Sequence, residues 1–232
     1  MTDQIRGLLF DKDGTLFDFH ATWGAWANRF FVELAAGDRT LAARVSAKLG
    51  YDLASGSFAK HSILIAGTNE QVTQALIEAL PGRDAVEVIR HLNLVAAESP
   101  QSQAVPLLPL LGELRGQGLR LGVATNDAEA PARAHLAAAG VTHLFDFIAG
   151  FDSGYGGKPA PGMARGFCAA TGLVPQQVLM IGDSTHDLIS GKAAGMTTIA
   201  VLTGIAEADE LKPYADVILP DIGALPEFLG YR

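Results

Sequence analysis

The chain has 232 residues, 49% of them hydrophobic and 18% charged, and carries a formal net charge of -8. That composition is globular, and the length suits one large domain or a core with a smaller unit inserted into it. The acidic balance argues against nucleic acid and against an anionic membrane surface, both of which need a basic face, and the one cysteine, Cys168, cannot close an internal disulfide.

In chain order, the N-terminal stretch MTDQIRGLLFDKDG has too short an apolar run for a signal peptide, and no window approaches membrane-spanning length, so a cytoplasmic protein is expected. Gly7–Phe10 is the first of several short apolar runs. From about Phe17 to Ser99 the rhythm becomes helical. Trp23, Trp26, Phe30, Phe31 and Leu34 recur at helical spacing, as do the apolar positions of Val72–Leu80 and Ala85–Val95, with breaks at Gly67-Thr68-Asn69 and Pro81-Gly82. Further apolar runs follow at Leu119–Thr125, Phe145–Phe151, Val178–Gly182 and Thr197–Leu202, with Asp216–Leu219 as a sixth candidate. Runs of this kind suit strands buried on both faces of a parallel sheet. Helices are predicted over Ala128–Ala139, Gly162–Thr171 and Leu188–Ala194, each followed by a glycine (Gly140, Gly172, Gly195) where a left-handed residue ends a helix. The expectation is an α/β fold with a doubly wound parallel sheet from residues 1–16 and 102–232. An all-helical block, 17–101, is inserted after the first strand, with hinges near Phe17–His20 and Ser99–Ala104.

Ligands of open parallel sheets bind beyond the carboxyl ends of the strands. The residues that follow the apolar runs are Asp11, Asp13, Gly14 and Thr15; then Thr125, Asn126 and Asp127; then the glycine-rich stretch ending in Gly157-Lys158-Pro159; then Asp183, Ser184 and Asp187. Each alone has a bland reading, since Asp and Gly favour turns and a lone lysine is usually a solvated charge. Their arrival on four successive strand ends is harder to dismiss. Two carboxylates about 4 Å apart repel by roughly 4 kcal/mol at an effective dielectric of 20, so such a cluster calls for protonation or a cation. With oxygen donors and no histidine or cysteine cluster, Mg²⁺ is the natural ion. Lys158 and backbone N–H groups would complete a phosphoryl pocket.

Other residues are weaker candidates. Trp23, Trp26 and Phe30 form an apolar stripe that reads as core; His20 lies near the expected hinge and within reach of a substrate. Arg44, Lys48, Gly50-Tyr51-Asp52, Lys60 and His61 are alternative candidates for reading a leaving group; His186 is expected to point outward. No P-loop is present, because Gly157-Lys158 is followed by proline, and no G-x-G-x-x-G follows a strand.

These motifs resemble the haloacid-dehalogenase superfamily, specifically its phosphoglycolate-phosphatase-like members with a helical cap. Asp11 to Leu16 matches the first motif, Val123-Ala124-Thr125-Asn126 the second, Gly157-Lys158-Pro159-Ala160-Pro161 the third and Gly182-Asp183-Ser184-Thr185-His186-Asp187 the fourth. The resemblance implies that Asp11 is the nucleophile, forming an aspartyl-phosphate, and that Asp13 is the general acid and base. Thr125 and Lys158 would hold phosphoryl oxygens, with Asn126 and His20 as further substrate-binding candidates. Mg²⁺ would lie on Asp11, the backbone carbonyl of Asp13, and Asp183, with Asp187 helping from outside. The aspartate at position 13 sets the chain apart from the dehalogenases, phosphonatases and P-type ATPases of the superfamily. The implied partner is a small phosphorylated metabolite, handled by a monomer or homodimer. A phosphomutase is the alternative in the same fold; a receiver-like phosphoacceptor or a non-catalytic binding protein is the alternative outside the hydrolases.

Overall fold

The computed structural model describes residues 5–59, 62–80, 82–97 and 101–231. The chain divides into two compact units, Met1–Phe19 with Gln101–Arg232, and His20–Pro100. In chain order the elements begin with β1 (Gly7–Phe10). The insert follows: α1 (Phe19–Leu34), α2 (Arg39–Lys48), β2 (Tyr51–Asp52), β3 (Ser57–Phe58), α3 (Ile63–Ala66), α4 (Asn69–Ala79) and α5 (Ala85–Ala97). The larger unit resumes with α6 (Leu107–Gly116), β4 (Arg120–Ala124), α7 (Glu129–Ala138), β5 (Phe147–Ala149), α8 (Gly162–Thr171) and β6 (Val178–Gly182). It ends with α9 (Thr185–Ala194), β7 (Thr197–Val201), α10 (Ala208–Leu211), β8 (Val217–Leu219) and α11 (Leu225–Phe228).

The large unit is built on a parallel six-stranded sheet in the order β5-β4-β1-β6-β7-β8. Strand β1 sits between β4 and β6, so the winding direction reverses beside it, and such a switch point is where open sheets bind ligands. The period of two in β1 sorts its side chains between the faces. Leu8 and Phe10 join Leu121, Val123, Leu179 and Ile181 under Leu107, Leu110, Leu111 and Leu114 of α6. Leu9 points to the other face, with Ala124, Met180, Met163 and Phe167. Phe167 of α8 lies so close to the sheet that a Cβ at Gly122 would overlap its ring.

The strand runs appear where the apolar segments predicted them, including the sixth at β8. Gly140, Gly172 and Gly195 all have positive φ after their helices. One helix lies where no element was expected and another is longer than expected. Helix α6 contains Pro109, which falls in the first turn, where its missing N–H is not needed. Helix α9 starts at Thr185 rather than Leu188, because Ser184 and Asp187 form a capping box. Phe17 is fully buried with the sheet's core, bridges Gln103 and places residues 17–19 with the larger unit.

The smaller unit is helical apart from the short β2–β3 hairpin. Its core joins Trp26, Phe30, Phe31 and Leu34 of α1 to Val45, Leu76, Val88 and Leu92. Trp26 stacks on Phe30 at 5.3 Å, which makes these aromatics packing groups of the insert. Asp38 caps α2 and Thr68 caps α4, and the Tyr51 hydroxyl donates to the Gly24 carbonyl over 2.9 Å. Among the described residues no helix is long and apolar enough to cross a membrane.

Candidate active site

The ends of β1, β4 and β6, with the loop after β5, bring the polar residues together. The register pairs Phe10 with both Val123 and Ile181, and the Asp11 N–H continues the ladder by donating to the Ile181 carbonyl over 2.8 Å. Asp11 is therefore placed by the sheet itself. The chain then turns sharply: the Lys12 carbonyl accepts from the N–H groups of Leu16 and Phe17, and Gly14 N–H donates to Phe17 O. Gly14 has φ +76°, a region that favours glycine, and a Cβ on it would run into the Asp183 carboxylate.

Asp11, Asp183 and Asp187 are all buried, with one carboxylate oxygen of each lying within 4.8 Å of the others. The Lys158 ammonium sits among them, 2.5 Å from Asp11 Oδ1 and 2.6 Å from Asp187 Oδ1, and its third contact is the Ala124 carbonyl at 2.8 Å. Asn126 holds the backbone of Lys158 from both sides: its Nδ2 donates to the lysine carbonyl and its Oδ1 accepts the lysine N–H over 2.7 Å. Asp187 Oδ2 accepts the N–H and the hydroxyl of Ser184, at 3.0 and 2.7 Å. Thr125 is 2% exposed; its Oγ1 accepts the Asp127 N–H over 3.0 Å, which leaves its own proton to donate.

This cluster is electrostatically tense. Burial, opposed in part by Lys158 and reinforced by Asp187 and Asp13, pushes Asp11 up from 3.8 to about 7. Burial and the neighbouring Asp11 and Asp187 carboxylates push Asp183 well above the usual carboxylate range. Burial presses against the charge of Lys158, yet Asp11 and Asp187 more than offset it and hold the ammonium above the usual lysine range. With all three carboxyls ionised, as a bound cation would make them, one ammonium would leave two negative charges on an all-oxygen donor set. That charge and those donors fit a hard divalent cation.

The carboxylate of Asp13 belongs to a second network, built on the fully buried Lys12. Lys12 has no exposed surface; its ammonium lies 2.8 Å from Asp13 Oδ1, 3.1 Å from His135 Nδ1 and 3.5 Å from Asp127 Oδ2. Burying a lysine costs several kcal/mol unless it is paired. Here burial opposes the charge, and the Asp13 and Asp127 carboxylates outweigh it and hold the group above the usual lysine range. Burial also lifts Asp127, to about 6, against the pull of Lys12. Sequence reasoning left Lys12, His135 and Asp127 without roles. It also passed over the loop after β7, where Thr203 Oγ1 donates to the Gly14 carbonyl over 2.6 Å and a Cβ on Gly204 would overlap the Asp183 carboxylate. A Thr-Gly pair at a fifth strand end was the available signal.

The weaker candidates scatter. His20 lies in the first turn of α1, but its side chain lies outside the described residues, as do Lys60 and His61 entirely. Arg44 and Lys48 are exposed, His186 is half-buried, Tyr51 is packed in the insert, and Asp52 accepts from Ala54 N–H and the Ser55 hydroxyl within its own turn.

Residues 5–195 match the family model for haloacid dehalogenase-like hydrolases. The phosphoglycolate phosphatase of Neisseria gonorrhoeae is 31% identical over 231 residues, covering 97% of this chain and 92% of that protein. The phosphoglycolate phosphatase of Rhodospirillum rubrum is 28% identical over 229 residues, covering 97% and 91%. Among solved structures, CbbY from Rhodobacter sphaeroides in complex with phosphate superposes with a TM-score of 0.70 at 22% identity, covering 95% of this chain and 96% of that one, a likeness of fold.

Proposed function

The chain belongs to the haloacid dehalogenase-like hydrolases, and on that premise we propose that it is a Mg²⁺-dependent phosphatase of small organic phosphate monoesters, with Asp11 as nucleophile. The observation that carries this reading is Asp11 at the end of the central strand, 2.5 Å from Lys158 and grouped with Asp183 and Asp187. An Asp11 oxygen attacks phosphorus; the bond from phosphorus to the ester oxygen breaks, and Asp13 gives that oxygen a proton. Asp13, now a carboxylate, takes a proton from water, whose oxygen attacks the aspartyl-phosphate. The acyl-phosphate bond then breaks, releasing phosphate and restoring Asp11. Thr125 O–H and the Lys158 ammonium donate to phosphoryl oxygens as charge builds on them. Asn126, through its paired bonds to the Lys158 backbone, fixes where that ammonium stands.

Asp11, Asp183 and Asp187 would hold Mg²⁺, which supplies charge neutralisation at the phosphoryl oxygens. In this reading Asp187 is a member of the donor group rather than a distant helper. Relatives named as phosphoglycolate phosphatases over nearly the full chain support a small, anionic organic phosphate.

The test is phosphate release from phosphoglycolate, a panel of sugar phosphates and p-nitrophenyl phosphate, with and without Mg²⁺. Mg²⁺-dependent release that disappears in Asp11→Asn is the expected result. Isomerised sugar phosphate without free phosphate would replace this reading by a mutase, and no turnover of any ester would remove catalysis from it.

A further inference from the structure

We infer that Lys12 is a positioning residue for Asp13, its buried ammonium gripping Asp13 Oδ1 so that the carboxylate is held ready for proton transfer. This rests on the reading of Asp13 as general acid and base.

The geometry is specific. Residue 12 follows a fully buried strand, yet it is a lysine with no exposed surface and its nitrogen bent back onto its own neighbour at 2.8 Å. The ammonium is fixed from the other side by Asp127 Oδ2 at 3.5 Å and His135 Nδ1 at 3.1 Å, groups delivered by the end of β4 and by α7. Phe17 covers it, with the nitrogen 6.0 Å from the ring centroid and the His135 ring edge-on to Phe17 at 6.4 Å. The backbone of the same residue is the pivot of the turn, since the Lys12 carbonyl accepts from both Leu16 and Phe17. A surface lysine beside an aspartate wanders through many rotamers. This one has no room to do so, and through it the Asp13 carboxylate is tied to two other elements of the sheet unit. With Oδ1 committed to Lys12, the transferred proton falls to Oδ2.

The Lys12 ammonium is paired with a different set of groups from Lys158, and meets the phosphoryl-binding residues through the charge of Asp11 and the Asp127 N–H on Thr125 Oγ1. Lys158, Asp11, Asp183 and Asp187 contact one another, and Lys12 is bonded to Asp13, Asp127 and His135 instead. Losing Lys12 should therefore harm proton transfer to the leaving group more than phosphate or metal binding. A merely structural lysine would lower all of these together.

The experiment compares kcat/KM for an alkyl phosphate, whose alkoxide needs a proton, with that for p-nitrophenyl phosphate, whose leaving group needs far less help. Wild type, Lys12→Met and Asp13→Asn are measured side by side, each with a Mg²⁺ titration. Asp13→Asn should lose about 10²–10⁴ on the alkyl ester, the range for a lost general acid, and much less on the aryl ester. Lys12→Met should show the same selective loss, smaller in size, on the order of 10–10² on the alkyl ester, with the Mg²⁺ requirement unchanged. If Asp13→Asn is selective and Lys12→Met lowers both esters equally, or neither, the positioning role is overturned while the reading of Asp13 stands. If Asp13→Asn itself is unselective, that reading fails and the inference with it. Should Lys12→Met not fold, the double variant Lys12→Met/Asp127→Asn removes both members of the buried pair and is read the same way.

Discussion

Asp187 holds Lys158 with one oxygen, at 2.6 Å, and caps the first turn of α9 with the other through Ser184. One side chain thus fixes both the ammonium and the helix that follows β6. Asp187→Asn keeps the shape but removes the charge. Activity is expected to fall about 10–10²-fold, as for other groups that orient a metal site. The weakened cap should cost roughly 1 kcal/mol. A Mg²⁺ titration of activity and a thermal melt check the two parts separately.

Asp11 gives a pH prediction for the metal-free protein. Its carboxyl keeps its proton in the fold up to about 7 against 3.8 for an ordinary aspartate. Between those values the folded chain binds more protons than the unfolded one, so stability falls as pH rises through that window. In chelator, the melting temperature should drop from pH 5 to pH 8. Asp11→Asn should flatten this dependence and melt higher at pH 8 while turnover disappears. A steeper dependence in the variant would contradict the assignment.

Gly204→Ala places a methyl group where the Asp183 carboxylate lies. The carboxylate must shift, and the expected outcome is a Mg²⁺ requirement raised about 10–10²-fold with the fold preserved. Activity against Mg²⁺ concentration, with circular dichroism as the control, checks it.

Phe167→Ala removes a fully buried ring that covers Gly122 on the face of the sheet opposite α6. A loss of about 3–5 kcal/mol is expected from the cavity, read by urea unfolding.

Much of this molecule is legible from residue order, and the reasons are physical. Strands such as Val178–Gly182 are buried on both faces, so their apolar runs have no competing reading. The carboxylates stand out because they follow those runs directly. Lys12 does not, since a lysine between two aspartates reads as a solvated charge. Its partner His135 lies 123 positions away, and only the turn at Leu16–Phe17 and the placing of α7 create their contact. Gly204 was silent because a glycine's close approach is a property of its neighbour, here Asp183.

The bridge between Phe17 and Gln103 carries one more consequence. Asp18 N–H donates to Ser102 O and Ala104 N–H to Leu16 O, so the chain leaves and rejoins the sheet unit along adjacent paths. To the sheet, everything from His20 to Pro100 is topologically a hairpin loop, and it could be exchanged for a tight turn or a different domain without altering the register that sets Asp11. Changes within those residues are therefore expected to leave the strand pairing that sets Asp11 in place.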